Sequence, residues 1–160
     1  MTIVTEHLEQ RGIQFEVLPH PPATSALGEA LVLGAQPDEV IKTVVLDIET
    51  GHALAIVPAD RRVDLDLVRD VLGDRHARLA SEEEIARDFP EFELGAMPPL
   101  PSMVHIPVVI DPSVFEHRRI TFAAGTQREA VRTSPEGLFT GASVDIAPIT
   151  EIEEHSELTG

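Results

Sequence analysis

The chain has no cysteine, no tryptophan and no tyrosine, and only one lysine, among its 160 residues. Without cysteine there are no disulfides, no thiolate metal ligands and no thiol nucleophile, which fits a reducing compartment. Six phenylalanines are the only aromatic residues apart from histidine. They offer few platforms on which nucleobases could stack. Basic groups are scarce too: 28 acids stand against 12 bases, giving a net charge of −16. Such a balance opposes DNA binding and any extended grip on a phosphate backbone, so contact with nucleic acid has to be local. No apolar run approaches the roughly 18 residues that suggest a membrane span. Nor is there a charged-then-apolar leader with a small-residue cleavage site. The expectation is a soluble, cytoplasmic protein without membrane contact.

Several chemistries lack their signatures. The chain contains no Gly-x-Gly-x-x-Gly, no phosphate loop ending in Gly-Lys-Ser/Thr and no Gly-x-Ser-x-Gly elbow. The seven histidines form no His-x-x-x-His or His-x-x-Glu-His pattern, so neither a metal site nor a cofactor is expected. The acidic runs Glu82–Glu84 and Glu151–Glu154 read as a helix start and a solvated tail.

With 42% hydrophobic residues, the chain can fill the core of one domain. That domain is expected over residues 1–139, followed by an acidic tail over 140–160 in which Val144 to Ile149 could pack on an edge. Along the chain, a helix is predicted over 2–10 and a strand over 13–18. A second helix, capped by Thr24 or Ser25, turns Ala26, Leu27, Ala30, Leu31 and Leu33 inward. A hairpin joins Val40–Asp47 to Ala53–Val57 through Glu49-Thr50-Gly51-His52. Asp64 caps a helix that ends at Gly73, and Ser81 with Glu84 forms a capping box for a helix to about Phe89. The three prolines in Leu94–Pro101 exclude helix and central strand there. Strands follow over 107–111, 119–123 and 129–133, with a helical turn inside 112–117, and Ser134-Pro135 opens a short helix over 136–139.

The one lysine, Lys42, lies in Val40-Ile41-Lys42-Thr43-Val44-Val45-Leu46-Asp47. Alternation puts it on the face of Val40, Val44 and Leu46, with Ile41, Thr43 and Val45 opposite. Both faces are then largely apolar, as in a central strand. A buried ammonium must find an anion, lose its proton or reach water. Two readings stay open: a stem that extends to a nearby carboxylate, or a functional amine.

Four segments in order carry a resemblance: Phe15-Glu16-Val17-Leu18-Pro19-His20-Pro21-Pro22-Ala23-Thr24, Val40–Val45, Ile56-Val57-Pro58-Ala59-Asp60-Arg61-Arg62-Val63-Asp64, and Phe92-Glu93-Leu94-Gly95-Ala96-Met97-Pro98-Pro99. Together with Ile120–Thr126 they resemble the YbaK family, which is related to the editing domain of bacterial prolyl-tRNA synthetases and includes free-standing aminoacyl-tRNA deacylases. The resemblance covers roughly residues 13–139. It implies an α+β fold, a single domain with a curved mixed β-sheet and flanking helices, and a pocket between the lysine strand and the Gly-Pro loop. Where the family loop usually has a glycine shortly after the prolines, this chain has Leu100-Pro101, which stiffens the rim.

By the same resemblance, Lys42 is the functional lysine, placed near the aminoacyl ester and terminal ribose to stabilise developing negative charge. Gly95 lets the main chain approach the substrate, and Ala96, Met97, Pro98 and Pro99 wall a pocket for a small side chain. His20 and Thr24 match a segment at the pocket mouth, although either could simply serve its turn or cap. Asp60 could pair with Lys42 or meet the substrate, and Gly125 and Thr126 could complete the floor. Arg61, Arg62, Arg118, Arg119, Arg128 and Arg132 could gather to meet acceptor-end phosphates. The implied activity is trans-editing hydrolysis of a small amino acid from a mischarged tRNA, of the Ala- or Cys-tRNA(Pro) type, with contact only at the 3′ aminoacyl end. A catalytically idle binding module of the same fold is the alternative. No oligomeric state follows from the sequence.

Overall fold

In the computed structural model, which describes residues 1–139 and 143–151, two sheets and five helices form an α+β fold. Thr2 starts α1 (Ile3–Gln10): its hydroxyl accepts from the Thr5 N–H, and the Thr5 hydroxyl accepts from the Thr2 N–H. β1 (Glu16–Pro19) follows, and Ser25 caps α2 (Ala26–Leu33), which ends at the left-handed Gly34. β2 (Ile41–Ile48) and β3 (Gly51–Pro58) make the hairpin. Asp64 caps α3 (Leu65–Leu72), accepting from Asp66 and Leu67. After β4 (Arg78–Leu79), the Ser81–Glu84 capping box opens α4 (Glu82–Asp88). The remaining elements are α5 (Pro101–Val104), β5 (Val108–Ile110), a 3-10 turn at Pro112–Phe115, β6 (Ile120–Ala123), β7 (Glu129–Thr133) and β8 (Val144–Ile146).

β1, β7 and β6 form an antiparallel three-stranded sheet. The other sheet is mixed, in the order β4-β2-β3-β5-β8: the pairs on β2 are antiparallel, and β5 is parallel to both β3 and β8. A bridge between Val40 and Thr121 joins the two sheets, so the expected curved sheet is two sheets that meet at the start of β2. The main core packs Ile41, Val45, Leu54 and Ile56 against Phe89, Phe92, Ile120 and Phe122. On the other face of the mixed sheet, Leu46, Ala55 and Val57 pack against Val68 and Ile149.

Three local expectations change. Leu27 and Leu31 of α2 are 54% and 82% exposed. Its inward positions are Glu29 and Ala30, with Ala30 against Val40 and Ala59; a residue one step further along a helix is rotated by about 100° and leaves that face. Residues 136–139 form a turn, because Gly137 takes φ 72°. Pro101 is the first residue of a short helix, the one helical position where a missing N–H costs nothing. Within the segment expected as a tail, Val144–Ile146 forms β8 at the sheet edge, the Asp64 N–H donates to the Ile149 carbonyl, and Ile149 is fully buried. Residues 140–142 and 152–160 of that segment lie outside the described residues.

Candidate functional site

β2 is central along only part of its length. β3 pairs with all of it, but β4 pairs with Leu46 and Asp47 alone, so the Ile41–Val45 stretch has a free edge. The Ala80 N–H donates to the Val45 carbonyl on that side. By the two-residue period of a strand, the backbone groups of Ile41 and Thr43 point the same way. A cavity of about 230 Å³ occupies this edge, lined by Thr24–Ala26 and Glu29 at the start of α2, by Ile41–Val45, by Ile85 and Phe92, by Glu93–Gly95 and Met97, and by Ala123. It lies between the lysine strand and the Gly-Pro loop.

Lys42 is half-buried, and its Nζ donates to the Arg61 carbonyl at 2.7 Å. Among the described residues no carboxylate pairs with it. Burial pushes its pKa below the ordinary lysine value, the Arg62 charge pushes the same way, and Asp60 opposes. Lys42 also borders a second cavity of about 520 Å³ on the α3 side of β2, together with Arg62, Asp64, Arg69 and Glu151. Lys42 therefore borders both hollows, with its ammonium tied to the Arg61 carbonyl.

Gly95 has φ 76°, and a Cβ built on it would lie 1.8 Å from the Thr24 carbonyl oxygen. Only glycine lets the loop press so closely on the backbone that enters α2. Other bonds hold the loop from behind: the Glu93 N–H donates to the Gly125 carbonyl, the Gln127 N–H to Glu93, and the Gln127 side-chain amide to the Leu94 carbonyl.

Of the residues singled out from the sequence, Lys42, Thr24, Gly95 and Met97 line the cavity. Ala96, Pro98 and Pro99 do not; their side chains are buried beneath the loop and stiffen it. Gly125 and Thr126 do not reach the cavity either, since they form the turn that clamps the loop, with Gly125 packed against Val4 and Phe92. Asp60 is exposed and acts on Lys42 only through its charge. The six arginines are dispersed. Arg118, Arg119 and Arg132 line a wide groove of about 1140 Å³ elsewhere, in company with Glu16, Glu39 and Glu136. Arg119 is paired with Glu16 at 2.6 Å, Arg128 is exposed, and only Arg61 and Arg62 stay near Lys42.

His20 sits one bond behind the cavity. Its Nδ1 is 2.7 Å from the Pro21 carbonyl and its Nε2 is 2.9 Å from Glu29 Oε2, with the two side chains 1% and 3% exposed. Burial pushes the Glu29 carboxyl up to about 7, against the lowering effect of the His20 hydrogen bond and charge. Among the described residues neither Glu29 Oε1 nor Thr43 Oγ1 has a hydrogen-bond partner, although both atoms are buried. Sequence reasoning passed over Glu29 and Thr43. The available signal was a lone acid inside the otherwise apolar Ala26–Leu33 helix, the same kind of anomaly that drew attention to Lys42.

Comparison with known proteins completes the site. Residues 20–140 match the model of the aminoacyl-tRNA editing domain. The chain belongs to that family. Among curated proteins, it is 26% identical over 87 residues to a proline–tRNA ligase of Fervidobacterium nodosum, a match that takes in 54% of this chain and 15% of that much longer one. A solved structure described as a candidate trans-editing enzyme for prolyl-tRNA synthetase superposes with a TM-score of 0.80 at 27% identity, covering 93% of this chain and 95% of the other. Hypothetical protein APE2540 shares the fold, with a TM-score of 0.81, 24% identity and coverage of 92% and 99%.

Proposed function

We propose that this editing-domain protein is a trans-acting, cytoplasmic aminoacyl-tRNA deacylase that hydrolyses the ester of a wrongly attached small amino acid, with Ala- or Cys-tRNA(Pro) as the substrate type. The observation that carries the reading is the cavity of about 230 Å³ with the chain's one lysine in its wall. A space of this size holds the short side chain of such a substrate. The second hollow beyond Lys42 leaves room for the terminal nucleoside.

In this reading the amino-acid side chain enters between Met97 and β2, and the ester lies beside Lys42. The ammonium keeps two N–H donors after its bond to Arg61, and these stabilise the oxyanion that forms as water attacks the carbonyl. No protein nucleophile is required. The Ser25 hydroxyl, the obvious candidate in the cavity, is engaged with the Gly28 N–H as the cap of α2. A backbone carbonyl accepts a hydrogen bond from the attacking water, whose proton passes through the neighbouring ribose hydroxyl to the ribose oxygen as the ester C–O bond breaks, leaving the free amino acid and the ribose alcohol.

The test is a panel of mischarged tRNAs. The purified protein releases the small amino acids, and Lys42→Ala loses at least about a hundredfold in kcat/KM, the scale for removing one oxyanion donor, while its circular dichroism is unchanged. Release from no tRNA in the panel refutes the reading. Saturable binding of an aminoacyl-adenosine analogue without release would instead mark a binding module of the same fold.

A further inference from the structure

Two residues of the cavity wall, Glu29 and Thr43, each carry a buried hydrogen-bonding atom, Oε1 and Oγ1, with no partner among the described residues. Leaving such atoms unmatched costs on the order of 1–3 kcal/mol each, so a buried carboxylate oxygen without a donor points to something that binds there. The His20 contact explains why Glu29 stays ready. A backbone carbonyl only accepts, so the 2.7 Å contact to Pro21 places the proton of Nδ1 on the imidazole. His20 Nε2 and Glu29 Oε2 then share one further proton across 2.9 Å. One carboxylate oxygen is occupied by the imidazole, and the other remains a free acceptor.

A ligand that satisfies Glu29 Oε1 must bring a hydrogen-bond donor to the α2 wall, best a charged one, which the Thr43 hydroxyl can also meet as an acceptor, while its electrophilic carbon stays near Lys42. An aminoacyl ester has this form, since its ammonium is attached one carbon from the carbonyl. We propose that Glu29, assisted by the Thr43 hydroxyl, receives the α-ammonium of the bound aminoacyl group. The inference rests on the deacylase reading for the identity of the ligand, but it is tested by binding and not by turnover. In this arrangement Glu29 orients the ester towards Lys42, and an acyl group without a free amine is bound weakly.

The experiment measures equilibrium binding of two hydrolysis-resistant probes, 3′-alanylamino-3′-deoxyadenosine and its lactoyl counterpart, in which a hydroxyl replaces the amine. The wild-type protein binds the amine probe at least about tenfold more tightly, the scale of a hydrogen bond to a charged group. Glu29→Gln, which keeps size and shape, binds the two probes alike. Thr43→Val gives a smaller loss confined to the amine probe. Circular dichroism and thermal melting show whether each variant is folded. If Glu29→Gln refolds poorly, Thr43→Val decides: a loss confined to the amine probe supports the site, and an unchanged preference overturns it. The proposal is overturned by a Glu29→Gln protein that keeps the preference, or by a wild-type protein that has none, absence of all binding included. Retained discrimination without any deacylation would remove the deacylase reading and leave the ammonium site standing. A rate loss in Glu29→Gln that is equal for alanyl and lactoyl tRNA esters would place Glu29 in water activation and overturn the proposal.

Discussion

Gly95 and Gly125 both have positive φ, at 76° and 85°, but they differ in what a side chain would meet. At Gly125 an added Cβ lies 3.1 Å from a Val4 methyl and 3.2 Å from the Phe92 ring, both of which can shift. At Gly95 it lies 1.8 Å from the backbone oxygen of Thr24, which cannot give way without moving the entry to α2. Gly95→Ala is therefore expected to destabilise the protein by about 2 kcal/mol or more, from left-handed strain plus displacement of the loop, and to widen the cavity. Gly125→Ala is expected to cost less. Urea denaturation of the two variants checks the order, and equal losses would show that the close approach to Thr24 has no energetic weight. At this scale the sequence showed the unusual residues but not their neighbours. Lys42 stood out because a lone amine in an apolar strand is conspicuous, while Thr43 looked like any β-branched strand residue.

At the scale of elements, the signals that were legible are those contained within a few residues. The Ser81–Glu84 capping box, the Asp64 cap and the β2–β3 hairpin formed where their local chemistry placed them, although the hairpin turn is only Glu49-Thr50 and Gly51-His52 already belongs to β3. Elements defined by distant partners were not legible. β4 has two residues and β8 three, too short for a period to show, and the parallel pairing of β5 with β3 and β8 is fixed by packing across the sheet. The family resemblance placed a pocket between the lysine strand and the Gly-Pro loop, but the local pattern did not show the edge that opens it, which β4 is too short to cover. Asp111 also looked like an ordinary strand end. It is buried and accepts from the Ser113 N–H at 3.1 Å, from the Ser113 hydroxyl, and from the Ile149 N–H at 2.9 Å. Burial pushes its carboxyl up, yet these hydrogen bonds outweigh burial and hold its pKa below the ordinary value. Asp111→Ala leaves the Ile149 donor without its partner, at an expected cost of about 2–4 kcal/mol. Loss of amide-exchange protection at Ile149, together with a lower urea midpoint, is the expected result; unchanged protection would mean that β8 is held by its strand pairing alone.

For the whole molecule, a charge of −16 must coexist with a polyanionic substrate. The positive groups that line the two hollows are Lys42, Arg62 and Arg69, while Arg118, Arg119 and Arg132 face a different groove and share it with acids. At most three phosphates can then be met, and only at the single-stranded acceptor end. Each such contact contributes about −0.7 to the slope of log affinity against log salt, so kcat/KM for an editing substrate should fall with a slope no steeper than about −2. The body's negative charge works in the same direction, because added salt also screens its repulsion of the tRNA. The measurement is deacylation of one mischarged tRNA between low and physiological salt at substrate concentrations below KM. A slope steeper than about −4 would require six or more phosphate contacts and would refute recognition confined to the acceptor end. A shallow slope that becomes shallower still in Arg62→Ala would locate one of the few contacts beside Lys42.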